Sequence, residues 1–535
     1  MSTPSPKSPE QREKHRKYDR QLRLWGDHGQ KLLENAKVCL INATALGTET
    51  LKSLVLPGIG AFTIVDGEKV TEEDVGSNFF FEEDSIGTSR AQAATHALLE
   101  LNQDVRGDYI DESIENVMSH THNFFKNFTV IIATSLPEKT LVPLSKLLWE
   151  ADIPFLVGRS LGFFGYIRLQ TKEHTVVETH PDNENLDLRL DKPWPALKEH
   201  LDKIDVESLD NKERSHVPAL VILYYYMQKF RDQHGGKLPS NRIEKEKLRQ
   251  MIREGFSPDE HGIRILEENY EQAINLVNTC VNPVSIPPNV KNILEDEKCT
   301  NLNQESTPFW IMAAALKEIV EAEGSLPLKG SLPDMAADTA SYVTLQQLYQ
   351  TQAQLQSETL YRHAVQIARS LGQAPDTICE ADVKLFCKHS SEISVIRGSC
   401  IADEYEKNSI NLALHLDDPE NLIYYYIILK GLERFVSEYN VYPGQFAEQV
   451  EPDVSKLKTI IFKLLSQWGN TAAPVSDDRV HEMCRCGGAE LHSVSAILAG
   501  CAAHEVIKVI THQYKVINNT FVYDAITSTS ATFSL

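Results

Sequence analysis

The sequence predicts an α/β fold, a mostly parallel sheet covered by helices on both faces and interrupted by a large, mainly helical insert. Three observations carry this. From Tyr18 to about Arg168 short apolar runs alternate with helical patterns, the grammar of a parallel sheet. From about 175 to 480 the chain reads almost wholly as helix. From about 485 onward α/β character returns, so the helical block interrupts one fold.

The elements follow in order. Residues 1–14 carry charge, serine and proline without an apolar period and read as disordered. Strands are expected at 38–41, 62–65, 129–132 and 154–157. Helices are expected at 91–101, where Ala94, Leu98 and Leu101 share a face, and at 141–149. Tyr166-Ile167-Arg168-Leu169 reads as a further strand after the turn from Gly162 to Gly165. Within the helical block a long helix ends three times on Gly or Asn, followed by a hydrophobic residue and proline. The stops are Gly235-Gly236-Lys237-Leu238-Pro239, Gly324-Ser325-Leu326-Pro327 and Asn440-Val441-Tyr442-Pro443. Gly or Asn in the left-handed conformation closes a helix, and proline prevents its continuation. The spacing is too irregular for a solenoid. Near the end, residues 496–508 form a small-residue helix, followed by strands at 514–517 and 520–523. The expected division is 1–14 disordered, 15–174 the first part of the sheet domain, 175–484 the insert, and 485–535 the closing part.

Charge and composition narrow the function. With 53 basic against 75 acidic residues the formal net charge is −22, which opposes nucleic acid and anionic membrane as partners. The first sixteen residues are polar, so no signal peptide is expected there. The longest apolar run, 217–227, is broken by Pro218 and falls well short of the roughly 20 residues a bilayer span needs. Nine cysteines without a C-x-x-C pair fit a reducing compartment, so the chain is expected to be soluble in cytosol or nucleus.

The chemistry-bearing region is Ile41-Asn42-Ala43-Thr44-Ala45-Leu46-Gly47, between the first strand and a helix through Leu51, Leu54 and Val55. A second strand then ends in Asp66. This is the frame of a dinucleotide-type βαβ unit, whose loop amides and helix N-terminus hold phosphate. Of the three expected glycines only the packing glycine, Gly47, is present; Asn42, Thr44 and Ala45 place side chains where phosphate would lie. The scaffold persists while its ligand contact is degraded, the mark of a pseudo-enzyme.

The run Lys17-Tyr18-Asp19-Arg20-Gln21-Leu22-Arg23-Leu24-Trp25-Gly26 resembles the N-terminal signature of the activating enzymes of ubiquitin-like modifiers, and Ala502-Ala503-His504-Glu505-Val506-Ile507-Lys508 is similar to their late helix. Longer runs resemble the regulatory-subunit branch of the neddylation-activating enzymes: His180-Pro181-Asp182-Asn183, Asp187-Leu188-Arg189-Leu190-Asp191-Lys192-Pro193, Leu332-Pro333-Asp334-Met335 and Thr529-Ser530-Ala531-Thr532-Phe533. The resemblance covers nearly the whole chain. It implies a ThiF/MoeB-like, Rossmann-like pseudo-adenylation domain interrupted by half of a catalytic-cysteine-type domain that lacks the cysteine. It also implies an obligate heterodimer in which the catalytic partner subunit holds ATP, Mg²⁺ and the transfer cysteine. The ubiquitin-like Nedd/Rub modifier and its conjugating enzyme are further implied partners, and this chain binds no cofactor of its own.

Position by position, the resemblance supports loss of chemistry. Asp66 keeps the first acid after the second strand, and Glu68 stands where the active half holds ribose. Within Asp74-Val75-Gly76-Ser77-Asn78, Ser77 replaces an arginine that contacts phosphate. Arg90 replaces a lysine, keeping a cation in a forked, bulkier form. Ser135 replaces an aspartate that manages Mg²⁺, and Mg²⁺ wants carboxylate oxygen. Arg20 matches the arginine that reaches in trans to ATP phosphates in the partner's site, where a guanidinium spreads over phosphate charge. On the residues alone, the same arginine also serves as a surface salt-bridge former.

Leu332, Pro333, Asp334, Met335, Asp338 and Tyr342 match the segment that meets the catalytic partner; the alternative is a helix N-terminus with acids on its dipole. Cys299-Thr300 lacks the proline of the transfer-cysteine motif and has acids nearby, which disfavour a thiolate. His481, Cys484, Cys486 and His492 lack zinc-knuckle spacing. His504 reads as a capping or interface residue, and Tyr224-Tyr225-Tyr226 as helix core and rim. Two other readings stand beside the regulatory one: a self-sufficient adenylating enzyme with a divergent loop, and a pure interaction scaffold.

Overall fold

The structure, a computed structural model, describes residues 9–120, 123–180, 187–256, 267–281, 285–410, 412–470 and 475–535. The chain divides into two compact units, Met1–Val176 with Val395–Leu535, and Val177–Ser394.

The first unit is built on eight strands: β1 (Lys37–Ile41), β2 (Ala61–Val65), β3 (Arg106–Ile110), β4 (Val130–Thr134), β5 (Phe155–Leu161), β6 (Phe164–Gln170), β7 (Thr520–Asp524) and β8 (Thr529–Phe533). Their order is β8-β7-β6-β5-β4-β1-β2-β3. The run from β5 through β4, β1 and β2 to β3 is parallel, and β6, β7 and β8 add antiparallel strands. Ile41 faces Val65 in β2 and Ala133 in β4. Strand order therefore reverses between β1 and β4, and the crevice beyond their carboxyl ends is the topological switch point where α/β sheets bind ligands.

Side chains alternate across β1, as the two-residue period requires. Val38 and Leu40 join a core with helices Asp19–Asn35, Ala45–Val55, Arg90–Leu101 and His492–Thr511. Cys39 and Ile41 face the opposite core, with helices Glu138–Glu150, Ile423–Tyr439 and Val450–Gln467. His492–Thr511 is long and apolar enough by composition to cross a bilayer, but most of it is buried in the fold, as a core helix is.

Three expectations need correction. Residues 395–484 pack with the sheet, not with the insert. Helix Ile423–Tyr439 buries Ile427, Ile428, Leu432 and Phe435 in the sheet's core, and its Glu433 accepts the Tyr166 hydroxyl of β6 and pairs with Arg159 of β5 at 3.4 Å. Residues 9–14, expected to be disordered, lie in helix Pro9–Lys17, because the charges that suggest disorder meet partners: Lys14 with Glu34 and Lys17 with Asp104, both at 2.7 Å. Residues 1–8 lie outside the described residues. The segment 514–517 is not a strand: Tyr514 has φ 61° and the Ile517 amide donates to Glu505 at 2.8 Å. Strand β8 forms in the expected tail motif instead, and β3, whose sequence is polar because it is an edge, was not foreseen.

The second unit is helical. Its core gathers Ala219–Gln233, Glu268–Cys280 and the 32-residue Thr339–Ser370, with Pro308–Glu323 packed on the last. Tyr224 and Tyr226 are buried, and the hydroxyls of Tyr224 and Tyr225 reach Asp202 and Asp205 at 3.2 and 3.1 Å. Helix stops fall where the sequence places them: Gly324 (φ 73°) here, and Asn440 (φ 56°) in the first unit, both left-handed caps. At the third stop, Gly235 and Gly236 have φ 63° and 83°.

Candidate functional site

The switch-point crevice is the site the sequence singles out, and its loop is tied down from within. Asn42 takes φ 67° and its side-chain amide donates to the Thr134 carbonyl at 2.9 Å. The Thr134 hydroxyl in turn donates to the Asn42 carbonyl at 2.9 Å. Thr44 caps helix Ala45–Val55 by accepting from the Gly47 amide at 3.3 Å and bonds the Thr134 hydroxyl at 3.0 Å. Gly47 has the packing role expected: a Cβ there would stand 2.7 Å from the Asn42 carbonyl oxygen.

Asp66, at the end of β2, is 1% exposed. Its carboxylate accepts from the amides of Ala43 at 2.8 Å and Glu68 at 2.9 Å, and from Arg90 Nε at 2.7 Å. Arg90 also reaches Asp74 at 3.4 Å. Burial opposes charge on this guanidinium, but Asp66 and Asp74 outweigh it and raise its pKa. Glu68, the expected ribose acid, is exposed. Ser77 closes the short helix Glu72–Ser77, its hydroxyl spent on the Glu73 carbonyl at 3.0 Å. The neighbouring Asn78 is the buried member of that run, bonding the Ala43 carbonyl at 3.2 Å and the Thr48 hydroxyl at 3.0 Å. Ser135 lies just past β4 with φ 54° and its amide on the Gly158 carbonyl.

Sequence reasoning missed one residue of this site. Glu490, arriving 445 positions after the loop, places Oε2 2.8 Å from the Ala45 amide. A bridge between Gly162 and Glu490 and the Gly162 amide on the Ala489 carbonyl at 2.8 Å fix its approach. Burial pushes its carboxyl up to about 7, against the pull of the Ala45 and Leu46 amides and of Arg159 and Arg90. The glycine pair before it gave the only signal, a sharp turn leading toward the sheet. The Ala45 amide and the Asp66 carboxylate are thus engaged by the chain itself, and serine stands at 77 and 135.

The remaining candidates lie elsewhere. Arg20 is exposed in the first turn of helix Asp19–Asn35, and among the described residues no hydrogen bond or ion pair engages it. Its neighbour Tyr18 is buried and anchors the signature, donating to Asp104 at 2.9 Å and accepting from Asn102 at 3.0 Å.

In the second unit, Leu332 and Met335 pack partly against that unit's core, Pro333 and Tyr342 are half-buried and Asp334 is exposed. Asp338 caps helix Thr339–Ser370, accepting from the Ser341 amide at 2.9 Å. Cys299 is buried, and that burial pushes its thiol up to about 11, unsuited to a nucleophile.

Among the described residues no cluster of His, Cys, Asp and Glu is set to hold a metal. Cys484 lies in the core, Cys486 packs beside Gly162, and His481 and His492 face Glu451 at 3.2 Å and Glu49 at 3.1 Å. His504 is exposed on its helix. Of the 180–183 motif only His180 lies within the described residues.

Similarity to known proteins runs along nearly the whole chain. The model of the ThiF family matches residues 18–535. The NEDD8-activating enzyme E1 regulatory subunit of Danio rerio is 46% identical over 527 residues, covering 98% of this chain and 99% of that protein. The Nedd8-activating enzyme E1 regulatory subunit of Drosophila melanogaster is 49% identical over 542 residues and 100% of both chains. Among solved structures, the crystal structure of SeMet PaaA is similar over 32% of this chain and 55% of that chain, at TM-score 0.29 and 18% identity. The chain belongs to the ThiF family and, within it, to the family of NEDD8-activating enzyme E1 regulatory subunits.

Proposed function

We propose that this chain is the non-catalytic, regulatory subunit of a heterodimeric activating enzyme for the ubiquitin-like modifier NEDD8, acting in cytosol and nucleus to support cullin neddylation. The observation that carries the reading is the state of Asp66: two backbone amides and Arg90 occupy its carboxylate. With the second Arg90 nitrogen on Oδ1 at 3.2 Å, four donors take the carboxylate's four lone-pair sites, so a nucleotide or hard cation would have to displace one of them. Adenylation, Mg²⁺ binding and thioester formation then fall to the catalytic partner. This chain contributes half of a pseudo-symmetric scaffold, a helical unit beside the modifier, and Arg20 lent to phosphate charge in the partner's site. Exposure of Arg20 beside a firmly anchored Tyr18 supports that last role. The proposed interface is Leu332, Pro333, Asp334, Met335, Asp338 and Tyr342, with Asp338 also capping helix Thr339–Ser370.

The test is Arg20→Ala in the complex co-purified with its partner, read by ATP–pyrophosphate exchange. Loss of one preorganised cation from a transition state costs on the order of 10²-fold, so exchange falls by that order while assembly is unchanged. Undiminished exchange would leave the scaffold reading in its place.

A further inference from the structure

We infer that Glu490 is this chain's own substitute for a phosphate: its carboxylate fills the anion position at the start of helix Ala45–Val55 and excludes nucleotides from the loop. A helix N-terminus leaves its first amides without intrahelical acceptors, and in nucleotide-binding βαβ units phosphate takes them. Here two of those donors are satisfied from inside the chain. Ala45 donates to Glu490 Oε2 at 2.8 Å, and Gly47 donates to the Thr44 hydroxyl oxygen at 3.3 Å. The other carboxyl oxygen, Oε1, is buried with no hydrogen-bond partner, so the contact is made by one oxygen, brought to the loop by the backbone bridge between Gly162 and Glu490. The inference rests on the reading of this unit as one without a nucleotide of its own; it does not depend on the partner's identity.

The experiment uses the full-length chain and inorganic pyrophosphate as probe, with thermal midpoint as readout. Wild type is expected to be indifferent to pyrophosphate, and Glu490→Ser to gain a saturable rise in midpoint. The double variant Glu490→Ser with Ala45→Pro should lose that gain, because proline suits the first helical position but has no amide hydrogen. In wild type, hydrogen exchange of the Ala45 and Leu46 amides should not change with pyrophosphate, a measurement that stands even if the serine variant does not fold. A folded Glu490→Ser chain that ignores pyrophosphate, a gain that survives Ala45→Pro, or new protection of those amides in wild type would overturn the assignment. None of these outcomes bears on whether the complex exchanges pyrophosphate, so this idea and the regulatory reading fail separately.

Discussion

The Arg90 guanidinium closes on the Asp66 carboxylate in a fork, Nε to Oδ2 at 2.7 Å and Nη2 to Oδ1 at 3.2 Å. The cation that replaces the lysine of the resembling enzymes neutralises the acid at the end of β2. The pair is largely shielded, with side-chain exposures of 15% and 0%.

Breaking that pair strands a buried charge. Arg90→Ala is expected to lower unfolding free energy by about 3–5 kcal/mol, the usual cost of removing one partner of a buried ion pair. Arg90→Lys keeps the charge, loses the fork and should fall in between. Urea denaturation of the three chains measures this, and a loss below about 1 kcal/mol for Arg90→Ala, the range of surface pairs, would show the fork to be incidental.

Gly47 and Gly500 should respond oppositely to alanine. At Gly47 a Cβ meets the Asn42 carbonyl at 2.7 Å, Leu40 at 3.0 Å and the Thr134 hydroxyl at 3.1 Å, so overpacking should destabilise by about 1–3 kcal/mol. At Gly500, inside helix His492–Thr511, a Cβ meets nothing within 4 Å, and higher helix propensity should stabilise the isolated chain by up to ~1 kcal/mol. Thermal unfolding of both variants decides; equal effects would mean Gly47 is not held for close packing.

Much of this was legible because it is local. Fully buried strands such as Val130–Thr134 read as apolar runs, and the caps Gly324 and Asn440 announced themselves by residue type. The degraded loop was legible too, since the absence of glycine at 42, 44 and 45 is a matter of residue identity. What stayed hidden depends on contacts distant in sequence. Glu433 draws its helix onto the sheet through Tyr166 and Arg159, more than 260 residues away, so the insert's closing boundary was misplaced. Glu490 meets Ala45 across 445 residues, and the glycine pair before Glu490 marks a turn without naming its destination. Strand β3 was invisible because an edge strand need not be apolar.

Acid should destabilise the first unit through His174. This imidazole is 1% exposed and stacked on His512 at 5.5 Å; burial first, and the neighbouring His512 second, push its pKa down to about 3. The unfolded chain takes up a proton near pH 6.5 and the native chain does not, so the stabilisation is complete above 6.5 and is lost as pH falls from there toward 3. Between pH 7 and 5 the group accounts for about 2 kcal/mol of lost stability. His174→Phe should flatten that limb in urea titrations at the two pH values. An unchanged difference between them would mean that His174 charges freely in the fold.

The central claim, that this chain supports activation without performing it, is tested most directly by ATP–pyrophosphate exchange with NEDD8 and Mg²⁺ present. The purified chain alone should give background exchange, and the same chain reconstituted with its catalytic partner should give robust exchange. Exchange above background by the chain alone would contradict the account.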